Sequence, residues 1–93
     1  MTYRKTEQVT ARKVAGETLL VPIKGRLAEL HKVFTLNPVA EWVWEQLDGR
    51  RTTAELCDGV VARFNVPGPT AEADLAELLE KLQKSGLIEQ VNV

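Results

Sequence analysis

The run Leu36-Asn37-Pro38 divides this 93-residue chain into two parts of different periodicity, and that division limits its fold more than any other feature. Asn37 can accept a hydrogen bond from a free N–H of the helix it precedes, and Pro38 suits a first helical position, where there is no N–H to lose. Before the junction the residues read as strands; after it they read as helices. Charge divides at nearly the same place. Through Lys32 seven basic residues face three acidic ones, a balance of +4, and from Val33 onward five basic residues face ten acidic ones, a balance of −5. Such an asymmetry separates the surfaces available to different partners.

Residues 1–8 are polar and aperiodic and are expected to fray as a flexible N-terminus, leaving residues 9–93 as a single domain. From Val9 to Leu36 the chain reads as a three-stranded antiparallel meander broken at Ala15-Gly16 and Lys24-Gly25. Pro22 cannot donate to a ladder and is placed at the end of the central strand. In the third strand Ala28, Leu30, Phe34 and Leu36 alternate on one face, with Glu29, His31, Val33 and Thr35 on the other. A first helix is expected from Pro38 to about Leu47, with Gly49 as its left-handed cap. Val39, Val43 and Leu47 form its apolar stripe, Trp44 flanks the stripe, and Trp42 lies about 130° away on the helical wheel. Trp42 is therefore a candidate either for packing under a neighbouring element or for a partner or dimer contact.

Thr52 and Glu55 have the spacing of a capping box and open a second helix whose apolar face holds Leu56, Cys57, Val60, Val61 and Phe64. Two prolines and a glycine between Asn65 and Pro69 then force a turn. Thr70 is the expected cap of a third helix carrying Leu75, Leu78, Leu79 and Leu82 on one face and ending at Gly86. The fold class is α+β: a three-stranded antiparallel sheet followed by three helices.

A hydrophobic fraction of 44% and a charged fraction of 27% place the chain among ordinary globular domains. One cysteine and one histidine allow neither an internal disulfide nor a zinc constellation, and Cys57 reads as a buried small hydrophobe. Phosphate loops, dinucleotide glycine fingerprints, nucleophile elbows and zinc-protease motifs are all absent. The reading is of a non-enzyme with no cofactor and no metal. The N-terminus lacks the apolar core of a secretory signal and no apolar run approaches a membrane span, so a cytoplasmic protein without a membrane partner is expected.

Two binding modes suit strands followed by helices. As a winged helix-turn-helix regulator of DNA, the chain would have to place its third helix in the major groove, yet Glu72, Asp74, Glu77 and Glu80 outweigh Lys81 and Lys84 there, and phosphates would be repelled. Strand addition is the other mode: an extended peptide pairs with a free sheet edge and seats its side chains against a helix.

Several segments in order, Phe34-Thr-Leu-Asn-Pro38, Trp44-Glu-Gln-Leu-Asp-Gly49, Arg51-Thr-Thr-Ala-Glu-Leu56, Val61-Ala-Arg-Phe64 and Asp74-Leu75 through Gly86-Leu-Ile88, resemble the PqqD family. The resemblance spans residues 10 to 89. It implies a winged-helix-like fold, the RiPP recognition element, which binds the leader of a ribosomally made precursor peptide and presents it to a radical SAM maturase. It also implies that the leader lies along the third strand and against the third helix. On that basis the backbone of Ala28, Glu29, Leu30, His31, Lys32 and Val33 is the expected pairing edge, Leu75 and Leu78 the groove floor, and Lys32, Asp74 and Lys81 the charged contacts. The partners implied are a precursor leader and a radical SAM enzyme, with a homodimer through Trp42 as an option and no nucleic acid. PqqD proteins proper tend to carry Pro-Glu after the second strand and Cys-Asp-Gly at the turn, where this chain has Val21-Pro-Ile-Lys-Gly25 and Leu47-Asp-Gly49. The resemblance is thus to a divergent member.

Overall fold

A computed structural model of the chain describes residues 2–30 and 32–91. In chain order the elements are β1 (Thr2–Lys5), β2 (Val9–Val14), β3 (Glu17–Pro22), α1 (Gly25–Glu29), β4 (Phe34–Leu36), α2 (Pro38–Glu45), β5 (Asp48–Thr52), α3 (Thr53–Phe64), α4 (Gly68–Lys84) and β6 (Ile88–Val91). The strands form two antiparallel sheets of three, ordered β5-β1-β6 and β2-β3-β4.

The second sheet is the expected meander. Ala15 and Gly16, both at positive φ, make the two-residue turn that matches strand twist, and Val14 then pairs with Glu17. The Ile23 N–H donates to the Gln8 carbonyl at 2.7 Å, which fixes the alternation of the ladder. Odd-numbered residues of β3 bond toward β2 and even-numbered ones toward β4. Pro22 is even-numbered, and β4 has ended before reaching it, so its missing N–H costs the sheet nothing.

The third strand is shorter than its alternation suggests. Residues 25–29 form a helical turn instead, and Arg26, Leu27, Ala28, Glu29 and Leu30 are all strong helix formers with no β-branched member among them. Only Phe34 to Leu36 pair with β3.

The first sheet corrects the expectation of a frayed N-terminus. β1 is its central strand, Tyr3 is buried, and the cross-strand pair Arg4–Glu89 closes at 2.6 Å between Nε and Oε1. Beyond the strand the Thr6 N–H and hydroxyl donate to the carbonyls of Leu87 and Gly86. β5 pairs with β1 through an irregularity between Thr2 and Arg4, where Gly49 stands at φ +82°. The positive φ expected of Gly49 is real, but it serves this bulge and not the end of α2, which caps at Gln46. Asp48 accepts from the backbone N–H groups of Arg50 and Arg51, and those two bonds hold its carboxyl below the usual range.

The helix ends follow their caps. Asn37 accepts from the Ala40 N–H at 2.8 Å, and Thr52 with Glu55 completes the reciprocal capping box. α4 starts at Gly68, about half a turn before the expected cap at Thr70, because Pro69 in a first turn has no intrahelical bond to lose. It closes in a Schellman motif, with Gly86 and Leu87 N–H groups on the Gln83 and Leu82 carbonyls.

One core joins both sheets and the helices, from Tyr3 and Leu20 to Val43, Leu56, Leu82 and Ile88. Trp44 is buried in it, with the Lys5 ammonium 5.3 Å from its ring. Trp42 is half-buried and packs under a neighbouring element, the first of its two expected roles. Its ring lies against α3, edge-on to Phe64 with centroids 6.4 Å apart, below the Arg63 guanidinium and over Gly59. Cys57 is half-buried against the core and not fully enclosed. Glu41 of α2 ties the helix to the second sheet: the Thr18 hydroxyl donates to it and Lys13 Nζ lies 3.3 Å away, and these partners lower its pKa.

Candidate functional site

The alternation that places Leu20 and Thr18 toward β4 leaves Thr35, opposite Leu19, with its backbone N–H and C=O pointing away from the sheet. Phe34 and Leu36 bond inward to β3. Thr35 is therefore the open hydrogen-bonding residue of this edge, and β4 is the edge strand that faces α4.

Between that edge and α4 lies a groove of about 400 Å³. β4 and Asn37 form one wall. Asp74, Glu77 and Lys81 of α4 form the other, and Leu75 and Leu78 lie at the base with Val39, Val43, Val60 and Val66. Leu75 is buried and Leu78 half-buried, so the floor is apolar, whereas Asp74, Glu77 and Lys81 are exposed along the rim. The Lys81 ammonium stands 5.9 Å from the Phe34 ring centroid and bridges the two walls at that end. The groove offers an extended chain two backbone partners on Thr35, an apolar floor and charges of both signs.

The structure thus brings Asp74, Leu75, Leu78 and Lys81 together beside the sheet edge. The other expected site residues lie elsewhere. Ala28 and Glu29 belong to α1 and not to a strand; Leu30 caps the helix with its N–H on the Arg26 carbonyl; Lys32 and Val33 precede β4 outside the ladder. His31 lies outside the described residues. The pairing edge moves to Phe34–Leu36, and Thr35, Phe34, Val66 and Glu77 join the site although the sequence reading does not single them out. The alternation at Phe34 and Leu36 is the available signal for the first two. Val66 enters because Asn65, in the left-handed conformation at the end of α3, turns the chain back beneath the groove.

α3 and α4 form a helical pair, but Glu72, Asp74, Glu77 and Glu80 are all exposed on α4. A recognition helix of that charge does not suit DNA. Among the described residues no cluster of potential metal ligands occurs, and no helix is long and apolar enough to cross a membrane.

Residues 17–88 match the family model described as coenzyme PQQ synthesis protein D (PqqD). The chain belongs to the PqqD family. Solved structures of similar fold include TbiB1 in complex with the TbiA(beta) leader peptide, 23% identical, with a TM-score of 0.75 and 97% of this chain and 99% of that one covered. A lasso peptide synthetase B1 complexed with its leader peptide is 17% identical, with a TM-score of 0.77 over 96% and 99% of the two chains. The solution structure of the PqqD truncation of Methylobacterium extorquens PqqCD, a stand-alone RiPP recognition element, is 20% identical, with a TM-score of 0.72 over 95% and 88%. No curated protein matches the chain. The PqqD-family fold accounts for both sheets, because the similarity extends across nearly the whole chain and not the meander alone.

Proposed function

We propose that this PqqD-family protein binds the leader segment of a ribosomally made precursor peptide in the β4/α4 groove and presents the peptide to a modifying enzyme, a radical SAM maturase. The observation that carries the reading is the open backbone of Thr35 beside an apolar groove walled by α4. An edge strand left free next to a hydrophobic trough is ordinarily covered or blunted, and strand addition is the mode that uses both features at once. Two relatives of the same fold carry leader peptides, which supports the assignment of ligand class. Backbone pairing holds any extended segment, while the groove discriminates among side chains. A non-catalytic domain of this kind acts by raising the local concentration of its peptide at the enzyme it accompanies.

The test is a titration of isotope-labelled protein with synthetic candidate leader peptides, taken from any short reading frames that neighbour its gene. Amide shifts are expected at residues 33–37 and along the groove face of α4, from Ala71 to Leu82. Shifts confined to β5, β6 and α3 would place the ligand elsewhere. Co-purification of the radical SAM enzyme with leader-bound protein alone means that the peptide recruits the enzyme, whereas co-purification with leader-free protein as well means that the two proteins dock before the peptide arrives. Capture in neither state removes the maturase from the proposal.

A further inference from the structure

The α4 wall of the groove is electrically polar. Asp74, Glu77 and Lys81 all line it, spaced three and seven residues from the first, which keeps them near one face of the helix. Seven helical residues separate Asp74 from Lys81 by about 10 Å along the axis. All three are exposed, and among the described residues none has an ion-pair partner. Lys81 is fixed at the Phe34 end of β4 by its place over that ring. The two carboxylates therefore own the other end of the wall.

β4 also has a preferred direction of pairing. Only Thr35 turns both backbone groups outward, and one residue of an antiparallel strand satisfies both, whereas a parallel strand needs two residues and slanted bonds. An antiparallel peptide runs from the Leu36 end toward the Phe34 end. The peptide residues on either side of the one opposite Thr35 then share the inward face of Phe34 and Leu36 and point into the groove. Groove-facing positions recur every second residue, so three in succession span about 13 Å, comparable with the Asp74–Lys81 separation once side-chain reach is included.

We infer that this groove selects peptides by charge order: a basic residue, an apolar residue two positions later and an acidic residue two positions after that, read from N to C. The basic side chain meets Asp74 and Glu77, the apolar one sits on Leu75 and Leu78, and the acidic one meets Lys81. This rests on the peptide-binding reading above and sharpens it, because strand pairing alone is indifferent to sequence.

The experiment selects a random 12-residue display library on the whole chain and then synthesises an enriched peptide and its isomer with the two charges exchanged. Enriched peptides are expected to carry Lys or Arg four residues before Asp or Glu and to shift the Thr35 amide. Exchange of the charges should weaken binding at least tenfold, and the doubly substituted protein Asp74→Lys/Lys81→Glu should prefer the exchanged isomer. Circular dichroism checks that this variant is folded; if it is not, Lys81→Glu alone, which should erase the preference between isomers, decides the matter. Peptides that shift Thr35 yet bind equally in either charge order overturn the inference and leave peptide binding standing. A library that yields no binder overturns both.

Discussion

The sheet β5-β1-β6 and the sheet β2-β3-β4 each hold three antiparallel strands, but the first joins residues as far as 89 positions apart and the second joins near neighbours. In the first, the two ends of the chain are drawn into the core: Tyr3 and Ile88 are buried, and Arg4 pairs with Glu89. In the second, the last strand is only three residues long and leaves the backbone of Thr35 directed at a groove. Under the proposed function the first sheet serves stability and the second binding, and each role can be broken separately.

The largest effect is expected at Tyr3. Removing a buried aromatic ring from the central strand of the closing sheet by Tyr3→Ala should cost about 3 kcal/mol, the lower part of the range for large aromatic truncations. For a domain of this size that lowers Tm by about 15 °C. Thermal unfolding checks it, and a loss below about 1 kcal/mol would show that the terminal sheet is an ornament on an already stable core. The peptide affinity of the remaining folded fraction should be unchanged.

Thr35→Pro is the converse experiment. Proline removes an N–H that points away from β3, so the β3–β4 ladder keeps its bonds and stability should change by less than about 1 kcal/mol. Leader binding should fall by about 30-fold or more, equivalent to about 2 kcal/mol for a lost backbone bond and a ring placed where the peptide must approach. An unchanged Kd would remove the strand-addition model, and an equal loss of stability would show that Thr35 belongs to the ladder after all.

How much of this the sequence discloses follows from the same contrast. The β2–β3 turn is local and is written in Ala15-Gly16, and the capping box and the Asn37-Pro38 start are written in the residues that make them. The closing sheet has no such local signature: Asp48-Gly-Arg-Arg-Thr52 lacks apolar alternation, and Thr2–Lys5 becomes a strand only because Ile88–Val91 returns beside it. Within the site, α4 is legible from its leucine stripe, but alternation alone misplaces the pairing edge by several residues. It continues through Ala28 and Leu30, although five successive helix formers there point to α1. For Trp42 the sequence leaves two roles open, packing and partner contact, and does not choose between them. A helical wheel ranks positions against one apolar stripe, and α2 packs on two sides, with α3 receiving Trp42 over a glycine.

Gly59 makes that last point measurable. A methyl group there would overlap Cη2 of Trp42, so the rigid ring would have to move. Replacing glycine by alanine inside a helix normally gains about 1 kcal/mol. Overpacking of this kind costs about 1 to 3 kcal/mol, so Gly59→Ala should be destabilising by about 1 kcal/mol net. In a Trp42→Leu background the same substitution should become stabilising. A change of sign between the two backgrounds ties Trp42 to α3, while equal effects in both would return Trp42 to the surface as a partner contact.

The smallest expected effect separates the two sheets by their carboxylates. Asp48 in the closing sheet is held below its ordinary pKa chiefly by the backbone N–H groups of Arg50 and Arg51, whereas Glu41 is lowered by the Thr18 hydroxyl and by Lys13. A folded-state pKa below the unfolded value means stability that is fully present above the unfolded pKa and lost as pH falls through the folded one. Both groups therefore contribute to an acid limb of unfolding, and Asp48→Asn and Glu41→Gln should each flatten it slightly. Salt should distinguish them, because the Lys13 contact is an ion pair near solvent and is screened, while the bonds to Asp48 come mainly from neutral amides. Carboxyl resonances followed by NMR at low salt and at about 1 M salt, where screening is nearly complete, should show Glu41 moving back toward its ordinary value and Asp48 staying depressed. Equal movement of both would mean that Arg50 and Arg51 act on Asp48 through their charges, and that the turn opening β5 is held by electrostatics and not by its backbone.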